Sequence, residues 1–439
     1  MKSSPRYKFP ALLLSGAVLS PLPLASAIAQ ETGAGALEEI IITARRREES
    51  MQQVPISVTA LSGDQLENAG YKEMQNLTEA VPNLEFSGGT EVPQIFIRGI
   101  GQRDGGIVVD PGVGVYINEI YISRVDGQMM DTAEISNIQV LRGPQGTLFG
   151  KNNVGGAMLI QLADPAEEFG GYLELGAGNL DREAIKGAIN VPLVDEKLLS
   201  KFSYSSQKRD GYIENIATGK DVSDMDRQAL VGQVDWFIND STGVELLAMY
   251  SEREEEKFGT NCTASNDFAL IPFSFTMPQS DSPTAFSDAC AESNALLDDD
   301  KVSEDTLGTY ESETTLFGLT FTKNFDSSTF KSITSYTKQD VNPGAQDNDS
   351  TAIPFSSTWI GESLGYGKEE RNSEQFSQEF QFSGLAMGDR LDYTFGAFAS
   401  FEDIDEKFFS DGRGNGLAAF SGNVSPIPGA PFITPSSGN

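Results

Sequence analysis

A lysine inside a glycine-rich segment is the first candidate for chemistry in this sequence, because phosphate-binding loops combine such glycines with a lysine. The stretch 135–163 contains this combination at Gly150-Lys151. The next residue is Asn152, where a phosphate-binding loop needs serine or threonine, and Gln145 takes the place of its first glycine. The pattern therefore does not predict a nucleotide site.

The amino-acid composition excludes further kinds of functional site. The chain has no histidine, which removes the commonest general base and the commonest metal and haem ligand. A Ser/His/Asp arrangement for nucleophilic catalysis is therefore ruled out as well. We predict no catalytic residue, no metal site, no cofactor and no enzymatic activity. The formal net charge of −33 also excludes a nucleic-acid-binding protein of the ordinary electrostatic kind.

The N-terminal residues have the organisation of a secretory signal peptide. A basic start that includes Lys2 and Arg6 precedes an apolar segment, and Ala27-Ile28-Ala29 forms a cleavage site before Gln30. The sequence thus predicts an exported protein with a signal peptide over residues 1–29.

The two cysteines, Cys262 and Cys290, lie in one polar, turn-rich segment. In an exported protein a disulfide between them is favoured, and two free thiols are the alternative.

The glycine-rich segment is flanked by two apolar strands, predicted over Ile135–Val140 and Ala157–Gln161. Upstream, Ser62 with Gln65 three residues later forms a capping box that predicts the start of a helix, and Gly70 is placed to end it. These patterns predict a compact α+β domain that ends near residue 165.

From Phe169 onward the pattern changes to segments of alternating apolar and polar residues. The clearest stripe is Tyr393, Phe395, Ala397, Ala399 and Phe401. We expect about nine such strands, joined alternately by tight turns and by long polar loops, as in an outer-membrane barrel. Beyond Gln30 no apolar run approaches the roughly 20 residues that a transmembrane helix requires, so any membrane-spanning part must be a β-barrel. A soluble β-sandwich is the alternative, but it does not need this loop asymmetry.

Residues 38–47, EEIIITARRR, form a short run of β-formers near the N-terminus. Such a segment suits strand addition to the sheet of a partner, and an ordinary edge strand of the following domain is an equal alternative.

Taken together, these segments resemble a TonB-dependent outer-membrane receptor of the siderophore-receptor type. The matching parts are EEIIITARRR, similar to a TonB box, and the plug motifs IRGIG and VLRGPQGTLFGKNNVGGAMLIQLADP. The stretch SQEFQFSG resembles a barrel strand of that family. The resemblance implies an α+β plug domain inside a transmembrane antiparallel β-barrel. Its expected domains are an N-terminal segment with the TonB box (30–49), the plug (50–165) and a partial barrel with long extracellular loops (166–439).

The same resemblance implies a function. A receptor of this kind binds a scarce ligand, most commonly a ferric siderophore, and imports it when TonB, energised by ExbB and ExbD, pulls on the box. Here the box corresponds to Ile40, Ile41, Ile42, Thr43 and Ala44. The other expected partners are outer-membrane lipid and lipopolysaccharide, and the receptor is expected to be a monomer in the outer membrane of a Gram-negative bacterium.

Two further hypotheses concern single residues of the plug and the barrel. Arg98 and Arg142 each precede a plug glycine and are expected to pair with lumen-facing carboxylates such as Glu379, or alternatively with plug carbonyls. Arg103 and Asp104 are candidates for ligand contact at the plug apex, with a solvated loop as the alternative.

The length departs from the family pattern, because the residues after Phe169 are too few for a barrel of about 22 strands. We therefore expect only the first roughly nine barrel strands in this chain. Two other functions stay open: import of a non-iron substrate such as an oligosaccharide, cobalamin or an aromatic compound, and an exported soluble β-rich adhesin or carbohydrate-binding protein.

Overall fold

The computed structural model describes most of the chain between residues 41 and 410. The described residues are 41–42, 46, 49–51, 54–71, 74–87, 94–102, 109–124, 134–257, 259, 261, 290–296, 301–304, 308–344, 367–388 and 390–410. The predicted signal peptide lies outside them. No helix among these residues is both long enough and apolar enough to cross a membrane.

The N-terminal domain alternates short strands with short helices. Its elements are β1 (Ile41–Ile42), β2 (Glu49–Ser50), β3 (Val58–Ser62), α1 (Gly63–Ala69), a 3-10 helix (Met74–Asn76), α2 (Leu77–Ala80), β4 (Leu84–Ser87), β5 (Gln94–Ile97), β6 (Ile100–Gly101), β7 (Val113–Ile117), β8 (Ile120–Ile122), β9 (Ile135–Arg142), α3 (Gly146–Phe149) and β10 (Gly156–Leu162). Five of the strands form a mixed sheet in the order β3-β9-β10-β7-β8, and β4, β5 and β6 form a second, small sheet.

The predicted capping box is confirmed at the start of α1. The Ser62 hydroxyl accepts a hydrogen bond from the Gln65 backbone N–H, and the Gln65 side chain accepts one from the Ser62 N–H. The helix ends at Gly70, which adopts a left-handed conformation with φ of 72°. These local signals fix both ends of a short helix that buries Leu66 against the core.

The two strands predicted around the glycine-rich segment pair with each other, because β9 runs antiparallel to β10. Their turn requires glycine at Gly156, which has φ of 155° and where a Cβ would lie 2.2 Å from the Leu141 carbonyl oxygen. β10 also runs parallel to β7, so it lies at the centre of the sheet and is buried along almost its whole length. Strand β10, which follows the glycine-rich segment, is therefore the centre of the domain core.

The second part of the chain forms one antiparallel sheet. Its nine strands, in sequence and spatial order, are β11 (Gly170–Ala177), β12 (Glu183–Val194), β13 (Leu198–Arg209), β16 (Met225–Asn239), β17 (Thr242–Glu256), β19 (Thr309–Phe325), β20 (Ser328–Asn342), β21 (Gly367–Ala386) and β22 (Leu391–Ser410). The short strands β14 (Ile213–Asn215), β15 (Lys220–Val222) and β18 (Lys301–Val302) pair in a separate sheet within the connections. The expected strand number is confirmed.

The sheet has one face toward the N-terminal domain and one face toward the outside. On β19 the side chains of Tyr310, Leu316 and Thr320 are buried, whereas Phe317 and Leu319 are 53% and 41% exposed. The outward residues of the predicted stripe on β22 are likewise exposed, with Phe401 at 72%. An outward apolar face of this kind is the pattern of a barrel wall that faces lipid.

The connections are asymmetric, as the sequence predicted. At one end the sheet turns at residues 195–197, 240–241, 326–327 and 387–390, and at the other end it has the connections 178–182, 210–224, 257–308 and 343–366. We refer to these as the short-turn end and the long-loop end. The sequence pattern predicts one wall strand over Ser328 to Tyr336. In the structure this strand, β20, extends farther toward the long-loop end, because backbone pairing continues to Asn342 although that segment is polar.

Candidate functional site

The side chain of Arg46 is the central feature of the boundary between the N-terminal domain and the large sheet. It is only 4% exposed. Its guanidinium lies 4.4 Å from the ring centroid of Phe149 and 5.3 Å from that of Tyr116, and its Nε donates a hydrogen bond to the Leu148 carbonyl oxygen at 3.3 Å. A cation in contact with two aromatic rings in a desolvated site is favourable, so Arg46 fixes the N-terminal segment to the domain core.

Two carboxylates from different parts of the chain complete the Arg46 site. Glu379, on the inner face of β21, lies 3.2 Å from Arg46 Nη2, and Glu119 lies 3.6 Å from Nη1. Lys331 on β20 forms an ion pair with the other side of Glu119. Gln381 donates hydrogen bonds to both carboxylates. The four charged groups thus form one alternating cluster, which we call the Arg46 cluster (Arg46, Glu119, Lys331 and Glu379).

The backbone of a tight turn presents Glu119 to the sheet. Asn118 and Glu119 connect β7 to β8 with φ of 44° and 68°, the positive values of a two-residue hairpin turn. The Asn118 side chain accepts a hydrogen bond from the Leu162 N–H and fixes the turn against β10. Burial opposes ionisation of Glu119, but Lys331 and Arg46 outweigh it and hold the pKa of this carboxyl below its ordinary value. Glu119 is therefore a carboxylate at neutral pH.

The aromatic side of the Arg46 site is held by hydrogen bonds within the glycine-rich motif. The Tyr116 hydroxyl donates to the Phe149 carbonyl oxygen at 2.8 Å and accepts from the Asn153 side chain at 2.9 Å. Burial raises the pKa of Tyr116 to about 12, so the hydroxyl keeps its proton. The segment from Gly146 to Asn153 therefore holds the rings of Tyr116 and Phe149 beside the Arg46 guanidinium.

A second polar cluster joins the domain to the sheet nearer the long-loop end. Arg124 pairs with Glu402 of β22, with Nε at 2.6 Å from Oε1 and Nη2 close to Oε2. Ser123 donates to the same carboxylate at 2.7 Å, and Ser373 of β21 donates at 3.2 Å. Burial acts to lower the pKa of Arg124, but Glu402 and Asp110 raise it above its ordinary value. This bidentate pair is a charged contact of well-defined geometry between domain and wall.

Between the two polar clusters, β8 packs on an apolar part of the sheet. Ile120 lies over Gly318, where an added Cβ would be 2.3 Å from the Ile120 Cδ1 atom. Leu247, Met249 and Leu316 belong to the same buried cluster as Ile120. The absence of a side chain at Gly318 therefore makes room for a side chain of the N-terminal domain.

Sequence and structure comparisons identify the domain that carries these contacts. Residues 50–157 match the TonB-dependent receptor plug domain family. This part of the chain is a TonB-dependent receptor plug domain. The plug is the N-terminal domain described above, and the large sheet is the wall that surrounds part of it.

Characterised relatives are similar over limited parts of the chain. The pesticin receptor of Yersinia pestis is 28% identical over 185 residues, which are 42% of this chain and 27% of that receptor. The vitamin B12 transporter BtuB of Vibrio vulnificus is 26% identical over 242 residues, 53% of this chain and 39% of that transporter. One of these relatives is named as a receptor and the other as a transporter.

Solved structures share the fold. The ferric yersiniabactin uptake receptor FyuA from Yersinia pestis aligns with a TM-score of 0.64 at 18% identity, over 81% of this chain and 50% of that chain. FpvAI in its complex with pyocin S2 gives the same TM-score at 16% identity, over 84% of this chain and 44% of that chain. The chain thus spans about half the length of the solved structures it matches.

The segment similar to a TonB box lies directly before Arg46. Ile41 and Ile42 pair antiparallel with Ser50 and Glu49, so this part of the segment folds back on the chain that leads into the plug. Ile40, Thr43 and Ala44 lie outside the described residues.

The expected pairing of Glu379 with plug arginines requires correction. Arg142 Nε donates to the Ser57 hydroxyl at 3.1 Å, and its Nη1 donates to the Pro82 carbonyl oxygen at 3.3 Å, which is the alternative of contacts within the plug. The structure brings Glu379 to Arg46 instead. The reason is that Arg142 ends β9, where the Ser57 hydroxyl and the Pro82 carbonyl oxygen are within hydrogen-bonding distance of its guanidinium.

Of the other site residues that the sequence analysis singled out, the structure describes Arg98 and Cys290. Arg98 is exposed and has left-handed φ of 56°, and its side chain forms no ion pair with any described carboxylate. Arg103 and Asp104 lie outside the described residues. Cys290 is buried and disulfide-bonded, and the only other cysteine of the sequence, Cys262, is again outside the described part.

Sequence reasoning missed Arg46, Glu119, Lys331, Arg124 and Glu402. One signal was available for Arg46, since it belongs to the run of three arginines that follows the apolar box, but nothing in the sequence pairs it with a residue 333 positions away. The Asn118-Glu119 dipeptide between two apolar strands was a second signal, for a tight turn that projects a carboxylate.

Proposed function

We propose that this chain supplies the plug and the first wall strands of an outer-membrane receptor that imports a ferric siderophore in a TonB-dependent manner. The observation that carries the proposal is the position of Arg46, which follows the box-like segment and is held jointly by the plug and the wall. A pull on the box must break these contacts before it reaches the plug core. Arg46 therefore connects the site where TonB would bind to the two bodies that must separate for transport.

The proposed sequence of events uses only contacts of this chain. With Arg46 in place, the N-terminal segment is bound to Tyr116, Phe149, Glu119 and Glu379. Strand addition of the box to TonB in the periplasm provides backbone hydrogen bonds through which force is applied. Removing Arg46 leaves Glu379 without its cation, whereas Glu119 keeps Lys331. The plug thus loses one wall contact while the other is kept.

Coupling to a ligand on the outer side requires a contact near the long-loop end. Arg124 and Ser123 lie where the plug meets Glu402, and Asp110 contacts the same arginine at 3.5 Å. A ligand above the plug that shifts this pair would favour a different plug position, and by linkage it would change the free energy of releasing Arg46. We propose this as the route between ligand and box.

The choice of cargo rests on what the relatives are named for. FyuA is a ferric yersiniabactin uptake receptor, and a further relative is the ferrioxamine B receptor of Salmonella typhimurium, 24% identical over 212 residues. The vitamin B12 transporter of Vibrio vulnificus supports cobalamin as the second candidate. A soluble adhesin is disfavoured because the outward face of the sheet exposes large apolar side chains, among them Leu173 at 68% and Phe395 at 64%.

The test measures uptake of iron-55 by cells in iron-limited medium. The iron is supplied as the ferric complex of the siderophore that the bacterium carrying this gene secretes. An Ile41→Pro variant of the chromosomal gene removes a backbone N–H and fixes φ, so it should abolish uptake while surface binding of the complex is kept. The matched control, Ile41→Val, should transport normally. Uptake that is unchanged in the proline variant would contradict import through this box, and cyanocobalamin labelled with cobalt-57 tests the second cargo in the same strains.

A further inference from the structure

In two rows of paired residues, the inner face of the wall changes from apolar to polar between β19 and β20. One row of paired residues reads Val231, Met249, Leu316, Thr337, Gln375 and Glu402 from β16 to β22. The first three are apolar and contact the plug core, and the last three are polar. The next inward-facing row toward the short-turn end changes in the same way, from Leu247 and Gly318 to Ser335 and Ser377. We call the residues Ser335, Thr337 and Gln339 of β20 and Ser373, Gln375 and Ser377 of β21 the polar stripe.

The side chains of the polar stripe are buried, each between 2% and 4% exposed. Despite this burial, several of their polar atoms have no hydrogen-bond partner: both amide atoms of Gln375, Oε1 of Gln339 and Oγ1 of Thr337. Buried polar atoms are almost always satisfied, because each unpaired one carries a free-energy cost. A group of them on two neighbouring strands therefore indicates a surface that is built to hydrogen-bond to something that moves along it.

The apolar part of the wall, in contrast, packs closely against the plug. Ile120 fills the space above Gly318 so closely that a Cβ there would clash, and Leu316 and Met249 are almost completely buried beside it. Close packing of this kind leaves no room for a solute and resists separation, since separating it exposes apolar surface. The plug thus packs tightly on β17 and β19 at these residues, whereas the polar stripe of β20 and β21 has buried polar atoms without hydrogen-bond partners.

The polar stripe also connects the two charged clusters. Ser373, at the end of the stripe nearer the long-loop end, donates a hydrogen bond to Glu402 of the Arg124 pair. At the other end of the stripe, Glu379 of the Arg46 cluster follows Ser377 on β21. At this end a cavity of about 200 Å³ lies between the plug and the wall, lined by Tyr116, Tyr121, Lys151, Glu379 and Phe398. Between the two clusters the stripe carries no formal charge.

We propose that the polar stripe is the surface along which water and the imported solute pass between plug and wall, while the apolar contact at Gly318 stays closed. This inference rests on the proposed import function and names the part of the described wall that import uses. Neutral amide and hydroxyl groups recognise a solute with hydroxyl, amide or carbonyl groups, so the transported molecule presents such groups to the wall. Release of Arg46 and of Arg124 opens the two ends of the stripe.

The experiment measures the reactivity of single cysteines toward methanethiosulfonate ethylammonium, a small hydrophilic thiol reagent, in whole cells. Thr337→Cys reports on the stripe and Leu316→Cys on the apolar contact; the two residues are directly paired across β19 and β20 and are 3% and 0% exposed. Gln375→Cys and Met249→Cys form a second pair, which keeps the test intact if one variant does not assemble. Heat-modifiable migration on gels establishes that each variant is folded.

We expect the stripe cysteines to react at least about fivefold faster than their partners, the factor that one hydrogen bond's worth of preferential hydration gives. A protonophore, which collapses the energy supply of TonB, should reduce the rate at the stripe and leave the apolar contact unchanged. Equal rates at residues 337 and 316, or a faster rate at 316, would overturn the inference. Failure of iron-55 and cobalt-57 uptake in the parent strain, with the labelling contrast intact, would instead remove the proposed function and leave a hydrated stripe.

Discussion

Arg46 and Glu379 lie 333 positions apart in the sequence, yet their side chains approach to 3.2 Å inside the receptor. One residue belongs to the segment before the plug and the other to a wall strand. This single contact therefore joins the segment before the plug to the large sheet, and in the proposed function it joins the part that TonB would pull to the barrel wall.

Replacing Arg46 with alanine should loosen the N-terminal segment. The substitution leaves the buried Glu379 without its cation and removes the contact with Phe149, and loss of one partner of a buried ion pair costs about 3 kcal/mol. We expect the segment to become accessible to added protease in the absence of ligand. Arg46→Lys, which keeps the charge but not the planar guanidinium, serves as the control and should show an intermediate rate. Equal cleavage of all three proteins would show that Arg46 does not hold the segment.

The stability of the Arg46 cluster should depend on pH through Glu119. Its pKa is lower in the folded protein than the ordinary value of 4.5, so the carboxylate stabilises the fold above that pH. This stabilisation is lost as the pH falls through the lowered pKa, because protonation removes the charge that Lys331 and Arg46 face. Chemical unfolding of the plug, followed in detergent at a series of pH values, should show the loss below 4.5. In Glu119→Gln this part of the pH dependence should disappear; a variant with the parental profile would exclude Glu119 as its source.

The space above Gly318 should reject even a methyl group. Gly318→Ala places a Cβ 2.3 Å from the Ile120 Cδ1 atom, so the side chain or the backbone must shift, at a cost of about 1 kcal/mol. Ile120→Val removes that Cδ1 atom and should recover part of the stability in the double variant. A double-mutant cycle on the thermal unfolding temperature measures the coupling. Additive effects would mean that the two residues are not in the contact described here.

The ion pair between Arg124 and Glu402 should contribute more to stability than the neighbouring serine hydroxyls do. Glu402→Gln removes the charge opposite a nearly buried guanidinium and should destabilise the plug within the barrel by about 3 kcal/mol. Ser373→Ala removes one hydrogen bond to the same carboxylate and should cost about 1 kcal/mol. Denaturant titrations of the two variants against the parent give both values. The order of the two effects is the outcome to examine, since a larger effect at Ser373 would contradict the central role of the ion pair.

The elements that the sequence predicted well are those fixed by local rules. The helix α1 is defined by Ser62, Gln65 and Gly70, residues that are close in sequence and act on backbone groups of the same turn. The strands β9 and β10 follow from apolar residues around a turn that needs glycine at Gly156. The nine wall strands follow from alternation, which depends only on the two faces of each strand.

The contacts between plug and wall could not be predicted in the same way. Whether Glu379 faces Arg46 or Arg142 depends on the register of β21 and on how the plug is rotated against it, and neither is encoded locally. Arg142 looked like a suitable partner by type, but Ser57 and the Pro82 carbonyl group are nearer within its own domain. The wall strands also extend beyond their predicted ends, because paired polar residues such as Gln339 and Ser373 face the lumen and not water at a loop.

The most direct measurement links residues 46 and 379 with a reversible tether. In an Arg46→Cys, Glu379→Cys double variant of the chromosomal gene, a reducible bis-maleimide cross-linker should join the N-terminal segment to the wall. The account predicts that tethered cells bind the ferric complex of the bacterium's own siderophore but fail to accumulate iron-55, and that a reducing agent restores uptake to the level of the untreated double variant. Each single-cysteine variant should transport iron equally with and without the reagent. Undiminished uptake while the tether is in place would contradict the claim that import requires release of this segment from plug and wall.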